Sequence, residues 1–99
     1  FFQPHLYSRT RDLMKDFAKV LELFDRVYLL DIYPARELPI PKINSFELAS
    51  LIKCSNTFLI NKNQLLDEVI SVKEKIISFL GAGDIGEEVQ KIKKYFIKI

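Results

Sequence analysis

A chain of 99 residues is long enough for one small domain and too short for two separate hydrophobic cores. Because 48% of the residues are hydrophobic and only 28% are charged, we expect a packed core and exclude intrinsic disorder. The net charge of +2 is too small for the broad basic field that drives non-specific nucleic-acid binding, so nucleic acid is a poor candidate partner.

Cysteine and histidine each occur once, at Cys54 and His5. The sequence therefore offers neither an internal disulfide nor a ligand set for structural zinc, and a lone cysteine fits a reducing compartment. No apolar run approaches the roughly 20 residues that span a bilayer, and the amino-terminal segment lacks the pattern of a signal peptide. We therefore expect a cytoplasmic chain without a membrane span.

Apolar runs and helical periods alternate along the whole chain, with no repeat or flexible linker between them. The predicted strands are a short one ending at Phe1 and Phe2 and the apolar runs 27–32, 57–60 and 76–80. Because the chain begins abruptly in apolar sequence and Pro4 follows, we expect the first strand to be present only as its last residues.

Four helices are predicted from apolar periodicity and capping patterns. The first begins near Thr10 or Arg11 and ends before Asp25. The other three start at pairs in which a capping side chain precedes Glu or Gln by three residues: Asn44 and Glu47, Asn61 and Gln64, Asp84 and Glu87. The expected buried faces are Leu13, Phe17, Val20, Leu21 and Phe24; Leu48, Leu51 and Ile52; Leu65, Leu66, Val69 and Ile70; and Ile85, Val89, Ile92, Phe96 and Ile99.

Strands that alternate with helices of this length require crossover connections, which place helices on both faces of a sheet. The predicted fold class is therefore α/β, with an open, three-layer, mostly parallel and Rossmann-like sheet.

Polar residues are concentrated in three loops that leave the carboxyl ends of predicted strands, where ligands bind in such sheets. The loop 3–10 holds His5, followed by Tyr7, Ser8 and Arg9. The loop 33–43 exceeds the usual connection of about 2 to 6 residues and contains three of the four prolines. The turn 81–86 holds all three glycines, which let a strand-to-helix turn present backbone N–H groups.

Each loop also has an interpretation without function. A lone histidine after a proline is often a plain surface residue, and prolines can merely stiffen a connection. The glycines match the G-x-G-x-x-G pattern of dinucleotide sites, but that pattern follows a first strand and needs an acidic residue about 20 positions later. The chain ends before that position, which disfavours a dinucleotide site.

Three strings of the sequence resemble, in order, motifs of the carboxyl-terminal domain of the Mur ligases of peptidoglycan synthesis: FQPHLYSRTRDL, LLDIYPARELPIP and FLGAGDIG. The similarity covers essentially the whole chain, and the combination of H-x-Y-S-R, D-x-Y-P-A-x-E and G-A-G-D-I is far more specific than any one motif. The resemblance implies that residues 1–99 are the last domain of a three-domain ligase, truncated at its start. The UDP-binding amino-terminal domain and the central ATPase domain are absent.

The D-x-Y-P-A-x-E loop favours the family member that adds L-alanine. The resemblance then implies that ATP phosphorylates the carboxylate of UDP-N-acetylmuramate and that the amine of L-alanine attacks the acyl phosphate. ATP and Mg would be held mainly by the absent central domain, since the sequence contains no G-x-x-x-x-G-K-[ST] loop. This domain would close over the reaction, and alone it is expected to be inactive.

The resemblance matches His5 and Arg9 to catalytic positions. Arg9 would hold the alanine carboxylate or a phosphate, and His5 would orient the amine or accept its proton. The other matched residues would border the amino-acid pocket: Tyr7, Tyr33, Pro34, Ala35, Glu37, Gly81, Ala82, Gly83 and Asp84. One departure is Leu6, where many family members carry arginine; Arg9 and Arg11 are the neighbours able to compensate.

Two alternatives remain open from the sequence. A standalone non-catalytic or receiver-like α/β module would use Asp31 as its phosphoacceptor, but the loops 3–10 and 81–86 lack the acidic cluster and the lysine of receiver chemistry. A sister ligase for another amino acid would share the architecture and differ mainly in the pocket loops.

Overall fold

The computed structural model describes residues 1–54 and 56–97. Its strands are β1 (Phe2–Gln3), β2 (Val27–Leu29), β3 (Thr57–Leu59) and β4 (Leu80–Gly81), and its helices are α1 (Tyr7–Leu21), α2 (Ser45–Leu51), α3 (Leu65–Ser71) and α4 (Ile85–Ile97). A 3₁₀ turn, Lys62–Gln64, leads into α3. The four strands form one parallel sheet in the order β3-β2-β1-β4, which confirms the predicted α/β fold.

Helices cover both faces of the sheet because the residues of β2 and its extension alternate between two cores. Val27 and Leu29 pack against α1 and α2 on one face, together with Ala18, Leu21, Leu48 and Ile52. Tyr28 and Leu30 point to the other face, where they pack with Ile60, Leu65, Val69, Ile85 and Ile92 from α3, α4 and the end of β3. The three-layer prediction is therefore confirmed.

Three strands are shorter than predicted, β3 by one residue because it ends at Leu59. Within the apolar run 76–80 only Leu80 pairs with β1, and Ile76 is 86% exposed. The strand β2 ends at Leu29 rather than at residue 32, because its neighbour β1 runs into Pro4, which has no N–H to continue a ladder. Leu30 still donates to the carbonyl of Phe2 at 2.9 Å.

Helix α1 begins at Tyr7, three residues before the predicted start at Thr10. Its first turn is held by Glu37 of the loop 33–43. The Glu37 carboxylate accepts two hydrogen bonds from Ser8, one from the backbone N–H at 3.0 Å and one from the hydroxyl. The buried face also differs, since it consists of Thr10, Ala18 and Leu21, whereas Leu13 and Val20 are exposed.

The capping predictions hold at two helices. Asn44 Oδ1 accepts from the backbone N–H of Glu47 at 2.8 Å, and Asn61 and Gln64 form a reciprocal capping box. At α4 the arrangement differs, because Gln3 Oε1 accepts from the backbone N–H of Ile85 at 3.0 Å. Ile99, expected on the buried face of this helix, lies outside the described residues.

Candidate functional site

The loops 3–10 and 33–43 are joined at the carboxyl ends of β1 and β2. His5 and Tyr33 form an isolated parallel bridge, flanked by hydrogen bonds of 2.8 Å from Leu6 N to Tyr33 O and from Tyr33 N to Pro4 O. Their rings stack with centroids 5.7 Å apart and planes 12° from parallel. The backbone pairing and the stacking together fix the imidazole at this edge of the sheet.

The glycine turn 81–86 packs directly against Tyr33. A Cβ atom added to Gly83 would lie 2.5 Å from Tyr33 Cγ and 2.7 Å from Gln3 Oε1, distances at which neighbouring atoms must move. Position 83 therefore requires glycine because of this close approach. Since Tyr33 also stacks on His5, the three loops meet at one rim of the sheet, as the sequence predicts.

Gln3 ties the glycine turn to the end of β1. Its side chain is 5% exposed, and it donates to Asp84 Oδ1 at 2.5 Å while accepting from the N–H of Ile85. The other oxygen of Asp84 accepts from Lys62 Nζ at 2.8 Å. Sequence reasoning missed both Gln3 and Lys62, because no local sequence pattern indicates that either residue contacts Asp84.

Lys62, and after it the amide of Gln3, holds the pKa of the Asp84 carboxyl below its ordinary value. A carboxyl whose pKa is lowered by folding stabilises the folded state above its unfolded pKa, and this stabilisation disappears as the pH falls through the folded pKa. We therefore expect the Asp84 network to support the fold at neutral pH and to weaken as the pH falls below about 4, the ordinary pKa of an aspartate.

Asp84→Asn should accordingly lower stability at pH 7, and the gap between the variant and the wild type should close as the pH is lowered toward 3. The measurement is urea unfolding of both proteins from pH 7 to 3, with Asp67→Asn, an exposed carboxyl of α3, as the control. A gap for Asp84→Asn that stays constant across this range would contradict the expectation.

Glu37 uses both carboxylate oxygens within the chain. Hydrogen bonds from the side chain and backbone of Ser8 lower the pKa of this carboxyl, which keeps it ionised at the positive amino end of α1. Glu37 thereby fastens the loop 33–43 to the turn that carries Tyr7 and Arg9. Because both of its oxygens bind Ser8, Glu37 is better placed to hold the two loops together than to contact a ligand directly.

Three residues of the loops 3–10 and 33–43 have strained backbones, and one of them is Lys42 with φ 66°. Leu6 has φ 69° and Ala35 has φ 52°, values in the left-handed region that residues other than glycine rarely adopt. Leu6 is held by its hydrogen bond to Tyr33 O, and Ala35 lies in a turn closed by Glu37 N and Pro34 O at 2.9 Å. Such strain is concentrated at functional sites in proteins, which favours a ligand site here.

The cations at the start of α1 differ in their partners. Arg11 is paired with Asp12 at 2.9 Å. Arg9 is exposed and has neither a hydrogen bond nor an ion pair within residues 1–54 and 56–97. Arg9 is therefore the guanidinium of this helix that is free to bind an anion.

The remaining predicted residues surround this arrangement. Tyr7, half-buried, is the first residue of α1, and Pro34 precedes the turn at Ala35. Gly81 ends β4, and Ala82 follows it as an exposed residue. Asp31, the receiver candidate, is exposed beyond the end of β2.

A cleft of about 230 Å³ lies away from the three loops. It is lined by residues at the amino ends of the strands, including Phe1, Val27 and Tyr28, and by the segment before β4. None of its lining residues belongs to the three loops.

Across the two described segments, no group of three or more His, Cys, Asp or Glu side chains could hold a metal ion. No helix within them is both long and apolar enough to cross a bilayer.

Comparison with known proteins identifies relatives that match almost the whole chain, although no protein-family model matches it. UDP-N-acetylmuramate–L-alanine ligases of Christiangramia forsetii and Flavobacterium psychrophilum are 54% and 53% identical to it over 93 residues, or 94% of the chain. That of Porphyromonas gingivalis is 50% identical over 95 residues. The chain spans about a fifth of the length of these relatives, 21% in each case. The resemblance seen in the motifs is thereby confirmed, and the chain is homologous to the carboxyl-terminal region of the UDP-N-acetylmuramate–L-alanine ligases of the Mur ligase family.

Proposed function

We propose that the chain is the carboxyl-terminal domain of an ATP-dependent ligase that joins L-alanine to UDP-N-acetylmuramate in peptidoglycan synthesis. The observation that carries the proposal is the match of 94% of the chain, at up to 54% identity, to enzymes of that name. The meeting of the three motif-bearing loops at one rim supports it. The UDP-binding domain and the central ATPase domain belong to the remaining four fifths of such an enzyme.

The proposed reaction has two steps. The sugar carboxylate attacks the γ-phosphorus of ATP, which gives an acyl phosphate and ADP. The alanine nitrogen then attacks the acyl carbon, so that a C–N bond forms, the C–O bond to phosphate breaks, and the nitrogen loses a proton. Negative charge develops on oxygen in both steps, and fixed donors and cations aimed at those oxygens lower the barrier.

The rim provides groups suited to that task. Arg9 presents an uncommitted guanidinium that can bind a carboxylate or phosphate through two parallel hydrogen bonds. His5 lies in the same loop, 3–10, and is held by Tyr33 and by the backbone pairing. Glu37 and Asp84 act on these groups indirectly, by holding α1 and the glycine turn in position. Closure of this rim over the acyl phosphate would also exclude water.

ATP and Mg are held by the central domain of such an enzyme in this proposal. The sequence has no phosphate-binding loop, and the described residues offer no metal-ligand cluster, so no step is assigned to either group in this chain. Location in the cytoplasm is part of the same proposal, because ATP is the phosphoryl donor and the lone cysteine, Cys54, is a free thiol.

The test is phosphate release by the full-length enzyme with ATP, Mg and UDP-N-acetylmuramate, in the presence and absence of L-alanine. We expect release to depend on L-alanine, with glycine and L-serine as weaker substrates. Absence of any dependence on an amino acid would refute the ligase function. A preference for a large or acidic amino acid would refute only the assignment to alanine.

A further inference from the structure

One ring nitrogen of His5 is enclosed by the protein. Nδ1 is buried and has no hydrogen-bond partner, and it is the one buried side-chain nitrogen or oxygen in this condition among residues 1–54 and 56–97. Nε2 also lacks a partner in those residues, yet it is not among the buried atoms, so it reaches the surface. The ring therefore presents one nitrogen to the protein interior and the other to the rim.

The ring cannot turn easily about Cβ–Cγ, a rotation that would exchange Nδ1 with Cδ2 and so change the surroundings of Nδ1. It stacks on Tyr33, and the hydrogen bonds of Leu6 and Tyr33 fix the backbone on either side of the bridge. Gly83 in turn holds Tyr33, because no side chain at that position separates the glycine turn from the aromatic ring. The orientation of the imidazole is thus set by all three loops.

The burial of Nδ1 decides where the proton of a neutral imidazole lies. One nitrogen carries N–H and the other a lone pair. A proton on Nδ1 would bury an N–H donor without an acceptor, which is rare in proteins because the group loses its hydrogen bonds to water. A proton on Nε2 leaves the donor at the surface, where water or a ligand can accept its hydrogen bond.

We infer that neutral His5 carries its proton on Nε2 and acts as a hydrogen-bond donor to an anionic oxygen of the reacting acyl phosphate, not as the base for the alanine amine. The assignment of the acceptor rests on the proposed function. A base needs a lone pair within reach of the proton that it removes, and the lone pair of this ring lies on the enclosed nitrogen. A donor held at the rim stabilises the charge that develops on oxygen.

The proton position can be measured directly, independently of catalysis. Full-length enzyme labelled with ¹⁵N-histidine gives side-chain nitrogen resonances, and their two-bond couplings to the ring protons distinguish Nδ1 from Nε2. The His5 signals are those missing from the spectrum of His5→Gln. We expect the unprotonated nitrogen to be Nδ1. A spectrum of neutral His5 with the proton on Nδ1 would overturn the inference.

Kinetics of three variants test the role. The amide nitrogen of His5→Gln can occupy the place of Nε2, whereas that of His5→Asn reaches only the place of Nδ1. We expect His5→Gln to keep kcat within about tenfold of the wild type, and His5→Asn and His5→Ala to lose about 100-fold or more. A decrease in kcat for His5→Gln as large as that for His5→Ala would exclude the donor role.

The NMR spectrum and the kinetic measurements together separate this inference from the proposed function. If the full-length enzyme shows no release of phosphate that depends on L-alanine, the ligase function fails, and the donor role in that reaction fails with it. The proton position is decided by the spectrum in either case.

Discussion

Replacement of Arg9 by alanine in the full-length enzyme should lower phosphate release that depends on L-alanine by about 100-fold or more. The expectation rests on the state of the side chain, which is exposed at the start of α1 and has no partner in the described residues. A cation that no internal carboxylate neutralises keeps its full charge for a ligand. Leu6 supplies no charge, so the loss of Arg9 would leave Arg11 as the nearest cation along the sequence.

Arg11→Ala is the matched control, because it removes an equal charge from the same helix. Arg11 is already paired with Asp12 at 2.9 Å, and we expect its loss to change turnover by less than about threefold. Arg9→Lys keeps the charge without the planar fork and should give an intermediate rate. A rise in KM for L-alanine would assign Arg9 to the substrate carboxylate, and a fall in kcat alone would assign it to the transition state. Unchanged kinetics in Arg9→Ala would remove Arg9 from the site.

The meeting of the three loops was predictable from the sequence because a parallel sheet places the carboxyl ends of all its strands at one edge. Buried apolar runs, helical periods and capping pairs located the strands and helices well enough to assign each loop to that edge. The conformations of the loops themselves were not needed for this prediction, since the topology alone brings His5, Tyr33 and Gly83 together.

The start of α1 was not predictable in the same way. The local sequence favours a helix from Thr10, but Glu37 extends it to Tyr7 by binding Ser8 across 29 residues. This one contact moves Tyr7, Ser8 and Arg9 from a loop into the first turn of a helix. Local patterns report local energies, and here a tertiary hydrogen bond outweighs them.

The cap of α4 illustrates the same limit. Asp84 and Glu87 have the spacing of a capping box, yet the Asp84 carboxylate binds Lys62 and Gln3, and Gln3 takes over the N–H of Ile85. A glutamine in a two-residue strand gives no signal in the sequence that it will be buried beside a helix terminus 82 residues away. Its role follows only from the close approach of β1 and the glycine turn.

Gly83→Ala should destabilise the domain by about 1 to 3 kcal/mol, the usual range for an inserted methyl group that has no space. The added Cβ would lie 2.5 Å from Tyr33 Cγ, so Tyr33 or the glycine turn must shift. Because Tyr33 stacks on His5, we also expect turnover to fall further than the loss of folded protein explains. Thermal unfolding and turnover of the full-length variant are the two measurements.

Gly86→Ala is the control for this substitution, since it adds the same methyl group in the first turn of α4, where no atom lies within 4 Å apart from the adjacent residues and the helix's own backbone. In a helix alanine is favoured over glycine, so we expect unchanged turnover and a gain in stability of up to about 1 kcal/mol. Both variants add one methyl group, at position 83 against the side chain of Tyr33 and at position 86 on an open side of the helix. Equal effects at positions 83 and 86 would contradict the close packing of the glycine turn on Tyr33, and with it the link from that turn to the imidazole.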